Sequence, residues 1–267
     1  MSEQGESQTN EPGKSMDNAG GEGTLISHLV ELRMRLLRML YTVLLVFVVM
    51  APFASEIFGW AAAPLIERLP GPGTMIATEV ASPFLTPFKL TFVAAIFVAM
   101  PVVLYQLWAF IAPGLYSQER RFGIPLLASS IVLFYAGVAF AYFVVFPLIF
   151  GFFASIQIGG VTMMTDISRY LDFVMALFLA FGLAFEVPIA TILMVWAGFT
   201  TPAKLAKKRP YVFLGAFVVG MFLTPPDMIS QTLLAVPMYA LFEIGIFMSR
   251  VIVPGHREVE AQQGDQS

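Results

Sequence analysis

Five long apolar runs and one short run divide this chain, and polar or proline-bearing segments separate them. The long runs cover Leu36 to Phe58, Leu90 to Ala112, Phe122 to Phe153, Phe173 to Ala197 and Met228 to Ile252. A helix that crosses a bilayer needs about 20 predominantly apolar residues, so each run predicts one span. No turn cluster divides the third run, so Pro147 predicts a kink or an end to one long helix. The short run, Tyr211 to Leu223, reaches only about 20 Å as a helix, against a hydrocarbon core of about 30 Å. It stops at Thr224-Pro225-Pro226-Asp227, because two prolines cannot continue the hydrogen-bond ladder. Asp227 is placed to cap the next helix. In that last span the uncharged stretch from Met228 to Glu243 is again short. Two adjacent short spans predict a locally thinned bilayer or partner helices that cover the mismatch. Pro101, Pro147, Pro188 and Pro237 lie inside spans two, three, four and six, where they favour curved, concave packing.

The flanks are polar. Residues 1–23 and 253–267 hold little that is worth burying and predict disordered tails around a membrane domain at 24–252. Thr24 to Leu40 reads as an amphipathic helix that enters the first span. Leu25, Leu29, Leu32 and Leu36 form one stripe, and His28, Glu31, Arg35 and Arg38 form the other. Arg33 falls among the leucines, where it either snorkels or meets a partner. Glu31 precedes Arg35 by four positions, the spacing of a local ion pair. A long loop, Gly59 to Phe88, is rich in proline, and its apolar Met75-Ile76-Ala77 predicts packing onto the membrane domain.

Composition narrows the class. Of 267 residues, 58% are hydrophobic and 12% charged, and the mean hydropathy is +0.79. A soluble globule has too little polar surface here to cover its apolar residues. The net charge of −3 suggests no polyanionic or nucleic-acid partner. There is no cysteine, and the two histidines, His28 and His256, lie outside the apolar runs. No metal centre, no cofactor motif and no catalytic pair can be assembled within the membrane, so an enzyme is not expected. The basic residues are unevenly distributed. Lys14, Arg33, Arg35, Arg38, Arg120, Arg121, Lys204, Lys207, Lys208, Arg209, Arg250 and Arg257 fall on one side of a six-span topology; Arg68, Lys89 and Arg169 fall on the other. The basic side is expected to be cytoplasmic, with both termini there.

Three acids stand out. Glu119 follows Pro113-Gly114 in Tyr116-Ser117-Gln118-Glu119-Arg120-Arg121 and would lie in the first turn of the third helix, where the helix dipole favours it. Glu31 and Glu119 also share the basic side, and two carboxylates in a wet interfacial groove suit a guanidinium-bearing ligand with an apolar segment. Glu186 lies within the fourth span, two residues before Pro188. An intramembrane acid must be neutral, hydrogen-bonded or exposed to water, and is a functional candidate by default. Glu243, near the end of the last span, suggests interfacial anchoring. These features suit a membrane-embedded receptor for an arginine-bearing ligand. A proton-coupled small-molecule transporter that uses Glu186 and a passive scaffold are the other two readings.

The residues also resemble a known family. His28 to Leu37 (HLVELRMRLL), Met75 to Phe92, Tyr105 to Arg121 (YQLWAFIAPGLYSQERR), Ala139 to Phe153, Phe181 to Ala190 (FGLAFEVPIA), Lys207 to Asp227 and Ser230 to Gly245 are similar to TatC, the polytopic subunit of the twin-arginine protein translocase. The resemblance covers nearly everything from Leu25 to Ile252. It implies a six-helix, cupped, all-α membrane protein of the bacterial inner membrane with both ends cytoplasmic. It implies that the protein receives arginine-pair signal peptides of folded cargo, works with single-span TatA-like and TatB-like subunits, self-associates in a larger complex and draws on the proton-motive force. Residue by residue, it implies that Glu31 and Glu119 engage the arginine pair, with Arg33, Phe110, Pro113, Leu115 and Tyr116 around them. Glu186 matches the polar position of the concave face, and Met221, Thr224 and Gln231 match the region where single-span subunits dock. Pro64 and Pro101 match structurally important prolines.

Overall fold

A computed structural model describes residues 17–66, 76–111, 123–155, 166–224 and 227–252. Nearly all of them are helical. The first span is α1 (Asp17–Met50), a single 3₁₀ turn (Ala51–Phe53) and α2 (Ala54–Ile66). Pro52 stands at the start of that turn, where its missing N–H interrupts the ladder. α1 begins inside the segment whose composition suggests a tail, so residues 17–23 are helical. The second span is α3 (Ser82–Ile111). The third is α4 (Gly123–Phe140), a π turn (Ala141–Val145) and α5 (Phe146–Ser155). The distortion therefore precedes Pro147 instead of ending the helix there.

The fourth apolar run is two helices, α6 (Ile167–Ala184) and α7 (Val187–Trp196). α6 starts earlier than the apolar run because Asp166 caps it, accepting from the N–H groups of Ser168 and Arg169. Pro188 cannot donate to the carbonyl of Ala184, and the chain turns at Phe185–Glu186 before it resumes as a helix. The short α8 (Pro202–Lys207) leads into α9 (Arg209–Leu223) and α10 (Met228–Ile252). Asp227 caps α10 through the N–H of Ser230 at 2.7 Å, as its position predicts. Among the described residues five helices or helix pairs are long and apolar enough to cross a membrane, and α9 is the shorter sixth.

Packing centres on α6. Leu171, Leu177 and Phe181 are fully buried against Ala141, Ile149 and Leu234 from three other elements. α1 is peripheral: only 6% of its most apolar window is buried, and it packs along α3. A chain that crosses and returns runs these two helices antiparallel, and Phe47 meets Phe92 edge to face at 5.6 Å. Between α2, α3, the π turn and α6 an open groove of about 530 Å³ is lined by Glu56, Trp60, Leu90, Phe97, Tyr142 and Phe178.

The far end of the long loop is held by hydrogen bonds and not by apolar packing: Ala77 is exposed, and Met75 lies outside the described residues. Ile76 bridges Asp166, and the N–H of Ile167 donates to the Ile76 carbonyl at 3.0 Å. The backbone N–H and hydroxyl of Thr78 both donate to Asp166 Oδ2. The Thr78 hydroxyl, followed by the backbone donors, holds the Asp166 carboxyl well below its usual range, at about 2. Behind it, Ser168 shares hydroxyl hydrogen bonds with Ser82 and Thr86.

Candidate functional site

The register of α1 on α3 places the first candidate residues. Glu31 lies sixteen residues before Phe47, about 24 Å along the helix, and Phe110 lies eighteen after Phe92, about 27 Å. Antiparallel packing therefore brings Glu31 and Phe110 to the same end of the bundle, although they are far apart in sequence. Glu31 is engaged locally, as its spacing allows. Arg35 donates from Nε at 3.0 Å and from Nη2 at 2.5 Å, both to Glu31 Oε1. The Glu31 side chain stays 34% exposed, and Arg35 is the more covered at 16%. The carboxylate is partnered but not sealed. Arg33 is exposed and has no ion pair among the described residues. Phe110 is half-buried at the end of α3. Glu119, Pro113, Leu115 and Tyr116 lie outside the described residues, as do Pro225 and Pro226.

Glu186 sits in the turn that separates α6 from α7, and Ser130 of α4 donates its hydroxyl to Glu186 Oε2. Ser130 is only 1% exposed. The other oxygen, Oε1, is buried and has no hydrogen-bond partner among the described residues. The backbones come close here because two glycines permit it. A Cβ on Gly137 would lie 2.5 Å from the Phe181 carbonyl, and one on Gly182 would lie 2.6 Å from the Phe134 ring. The acid therefore lies at a tight α4–α6 crossing and faces a polar partner, one of the outcomes open to an intramembrane carboxylate.

Glu243 is tied more firmly than its position suggests. Arg209 at the start of α9 donates to Glu243 Oε2 at 2.7 Å, and the Tyr239 hydroxyl donates to Oε1 at 2.7 Å. Its closest cation is Arg209 across a helix boundary, not Arg250 on its own helix. This joins the base of α9 to α10.

Met221, Thr224 and Gln231 gather at the α9–α10 joint but face different ways. Met221 is 47% exposed. Thr224 is 5% exposed, and its hydroxyl donates to the Gly220 carbonyl. Gln231 donates from Nε2 to the Phe217 carbonyl at 2.8 Å and packs over Gly220. Of the three, only Met221 presents its side chain outward.

Pro64 lies near the end of α2. Pro101 lies inside α3, where its missing N–H frees the Phe97 carbonyl, and the Tyr135 hydroxyl of α4 donates to that oxygen at 2.9 Å. Sequence reasoning missed Ser130, Tyr135 and Arg209 as partners. Pro101 signals that a carbonyl is free, but not which side chain reaches it. No group of three or more metal-ligating side chains occurs among the described residues.

Known proteins resemble the whole arrangement. The family of the Sec-independent protein translocase protein (TatC) matches residues 27–237. The Sec-independent protein translocase protein TatC of Azotobacter chroococcum mcd 1 is 61% identical over 237 residues, which are 89% of this chain and 92% of that protein. Its counterpart in Escherichia coli strain K12 is 60% identical over 236 residues, 88% of this chain and 92% of that one. A crystal structure of the twin-arginine translocase receptor TatC has a TM-score of 0.76 at 38% identity, covering 84% of this chain and 98% of that one.

Proposed function

The chain belongs to the TatC family of Sec-independent protein translocase proteins, and from that premise we propose that it is the inner-membrane receptor that takes the arginine pair of export signal peptides. Glu31 carries the reading. It is a carboxylate on the first span that stays one-third exposed and keeps one oxygen clear of Arg35 among the described residues. A carboxylate matches a guanidinium in charge and shape, which an ammonium does not do as well. By its match to the family motif we assign Glu119 as the second carboxylate, and by the same match Phe110, Pro113, Leu115 and Tyr116 belong to the proposed site. The excess of basic residues beside the spans at this end supports a cytoplasmic location for it and for both termini. TatA-like and TatB-like single-span subunits dock at the α9–α10 joint, where exposed Met221 and the short α9 offer a place for a foreign helix.

The transporter reading lost its footing with the family assignment. Glu186 is instead a polar point on the concave side, set against Ser130.

The direct test replaces Glu31 and Glu119 by Gln, singly and together. Each single change is expected to lower photocrosslinking of an arginine-pair signal peptide to the receptor, and the double change to stop cargo export. Normal crosslinking and export by the double variant would refute the site.

A further inference from the structure

The Glu31–Arg35 pair has a geometry that its spacing alone does not specify. Both donors of Arg35, Nε and Nη2, converge on one oxygen, Oε1, and nothing else among the described residues hydrogen-bonds the carboxylate. A carboxylate binds a guanidinium most strongly when its two oxygens take two parallel N–H donors. In this structure one of those oxygens is already occupied, by a guanidinium of the same chemistry as the ligand's. Arg33 and Arg38, on the same helix, are exposed and make no such contact among the described residues.

Resting on the proposed role of Glu31, we propose that Arg35 is a tethered competitor that holds the place of the ligand's guanidinium and so limits how tightly the receptor grips an arginine. To reach both oxygens, an incoming arginine has to displace Arg35 from Oε1. A lysine ammonium is a compact point charge and can settle on the free Oε2 without moving Arg35. Arg35 therefore opposes the two-oxygen grip of arginine more than the one-oxygen contact of lysine. It acts through Glu31 and is a positioning residue. The physical advantage is reversibility, since a receptor has to release its cargo's signal peptide after each cycle.

The experiment uses the full-length protein in lipid nanodiscs and two labelled signal peptides, one with Arg-Arg and one with Lys-Lys at the same positions. The two carry equal charge, so removal of the Arg35 cation alone affects both equally. R35Q is expected to tighten the Arg-Arg peptide by about twofold to fivefold, the range of exposed ion pairs, and the Lys-Lys peptide by less. The selective gain should vanish when R35Q is combined with E31Q. R35K keeps the charge but loses the fork; it is expected to shift the ratio in the same direction by a smaller amount, and it serves if R35Q does not accumulate. Weaker or unchanged Arg-Arg binding by R35Q, or an equal gain for both peptides, overturns the inference while the receptor site stands. Unchanged Arg-Arg binding by E31Q alone overturns the receptor site, and the inference with it.

Discussion

Glu31 and Glu186 are both carboxylates on membrane spans, and each meets a different kind of partner. Glu31 faces a cation four residues away on its own helix and keeps a third of its surface exposed. Glu186 faces a buried hydroxyl from another helix and leaves one oxygen without a donor. The first arrangement suits an exchangeable ligand and the second a fixed polar point. Asp166 shows a third case, a carboxylate outside the spans that accepts four hydrogen bonds from two segments. These bonds hold its pKa at about 2, below the ordinary 3.8. The sign follows from that depression: the bonds favour the ionised form, so their contribution is complete above about pH 4 and fades as pH falls toward 2. The melting temperature of the detergent-purified protein is expected to fall across that window. D166N should melt lower at neutral pH and lose less on acidification through the same window. Equal acid sensitivity of the two proteins would show that Asp166 does not control this junction.

At the scale of elements, the prolines redirect hydrogen bonds and do not simply break helices. Pro101 releases the Phe97 carbonyl, and Tyr135 reaches it from α4, so a defect in one helix becomes a tie between two. Loss of that hydroxyl in Y135F is expected to cost about 0.5–1.5 kcal/mol, as for a typical intramolecular hydrogen bond. In a P101A background the new N–H can take the carbonyl itself, so Y135F should cost little there. Unfolding in mixed detergent of the four proteins of this double-mutant cycle reads the coupling, and additive costs would contradict the redirection. The α7–α10 contact makes a comparable demand on Gly245, where a Cβ would lie 2.9 Å from the Pro188 backbone. G245A is therefore expected to destabilise by about 1–3 kcal/mol, the usual cost of overpacking, in the same unfolding measurement.

The whole molecule is a bundle with an uneven edge. Among the described residues α1 packs chiefly on α3, whereas α6 is packed on several sides. α9 has 15 residues, about 22 Å of helix, and falls short of the hydrocarbon thickness of about 30 Å. The Arg209–Glu243–Tyr239 cluster fixes one end of α9 to α10, and the Gln231–Phe217 bond fixes the other. The short helix is thus held in place, and Met221, Phe222, Met228 and Ile229 form an exposed apolar rim at the joint. A photocrosslinker at Met221 is expected to capture a single-span subunit in native membranes, and one at Gln231 to capture far less. Strong capture from both positions would mean that the joint opens when the partner binds.

The apolar runs determined the number of spans, because an uninterrupted stretch of about 20 apolar residues can satisfy its backbone in lipid only as a helix. The chain's local chemistry also showed where Asp227 would cap, that Pro188 would free a carbonyl, and that Glu31 would find Arg35. Each of these features spans at most four positions. Tertiary structure alone decided that Glu186 would meet Ser130, 56 positions away, that Tyr135 would serve Pro101, and that Glu243 would pair with Arg209 across 34 positions. It also buried Thr224, tied half-buried Gln231 to the Phe217 carbonyl and left Met221 facing out. Helical periodicity orders residues along one helix, but the rotation and height of each helix against its neighbours come from how glycines, prolines and aromatic rings let the backbones approach.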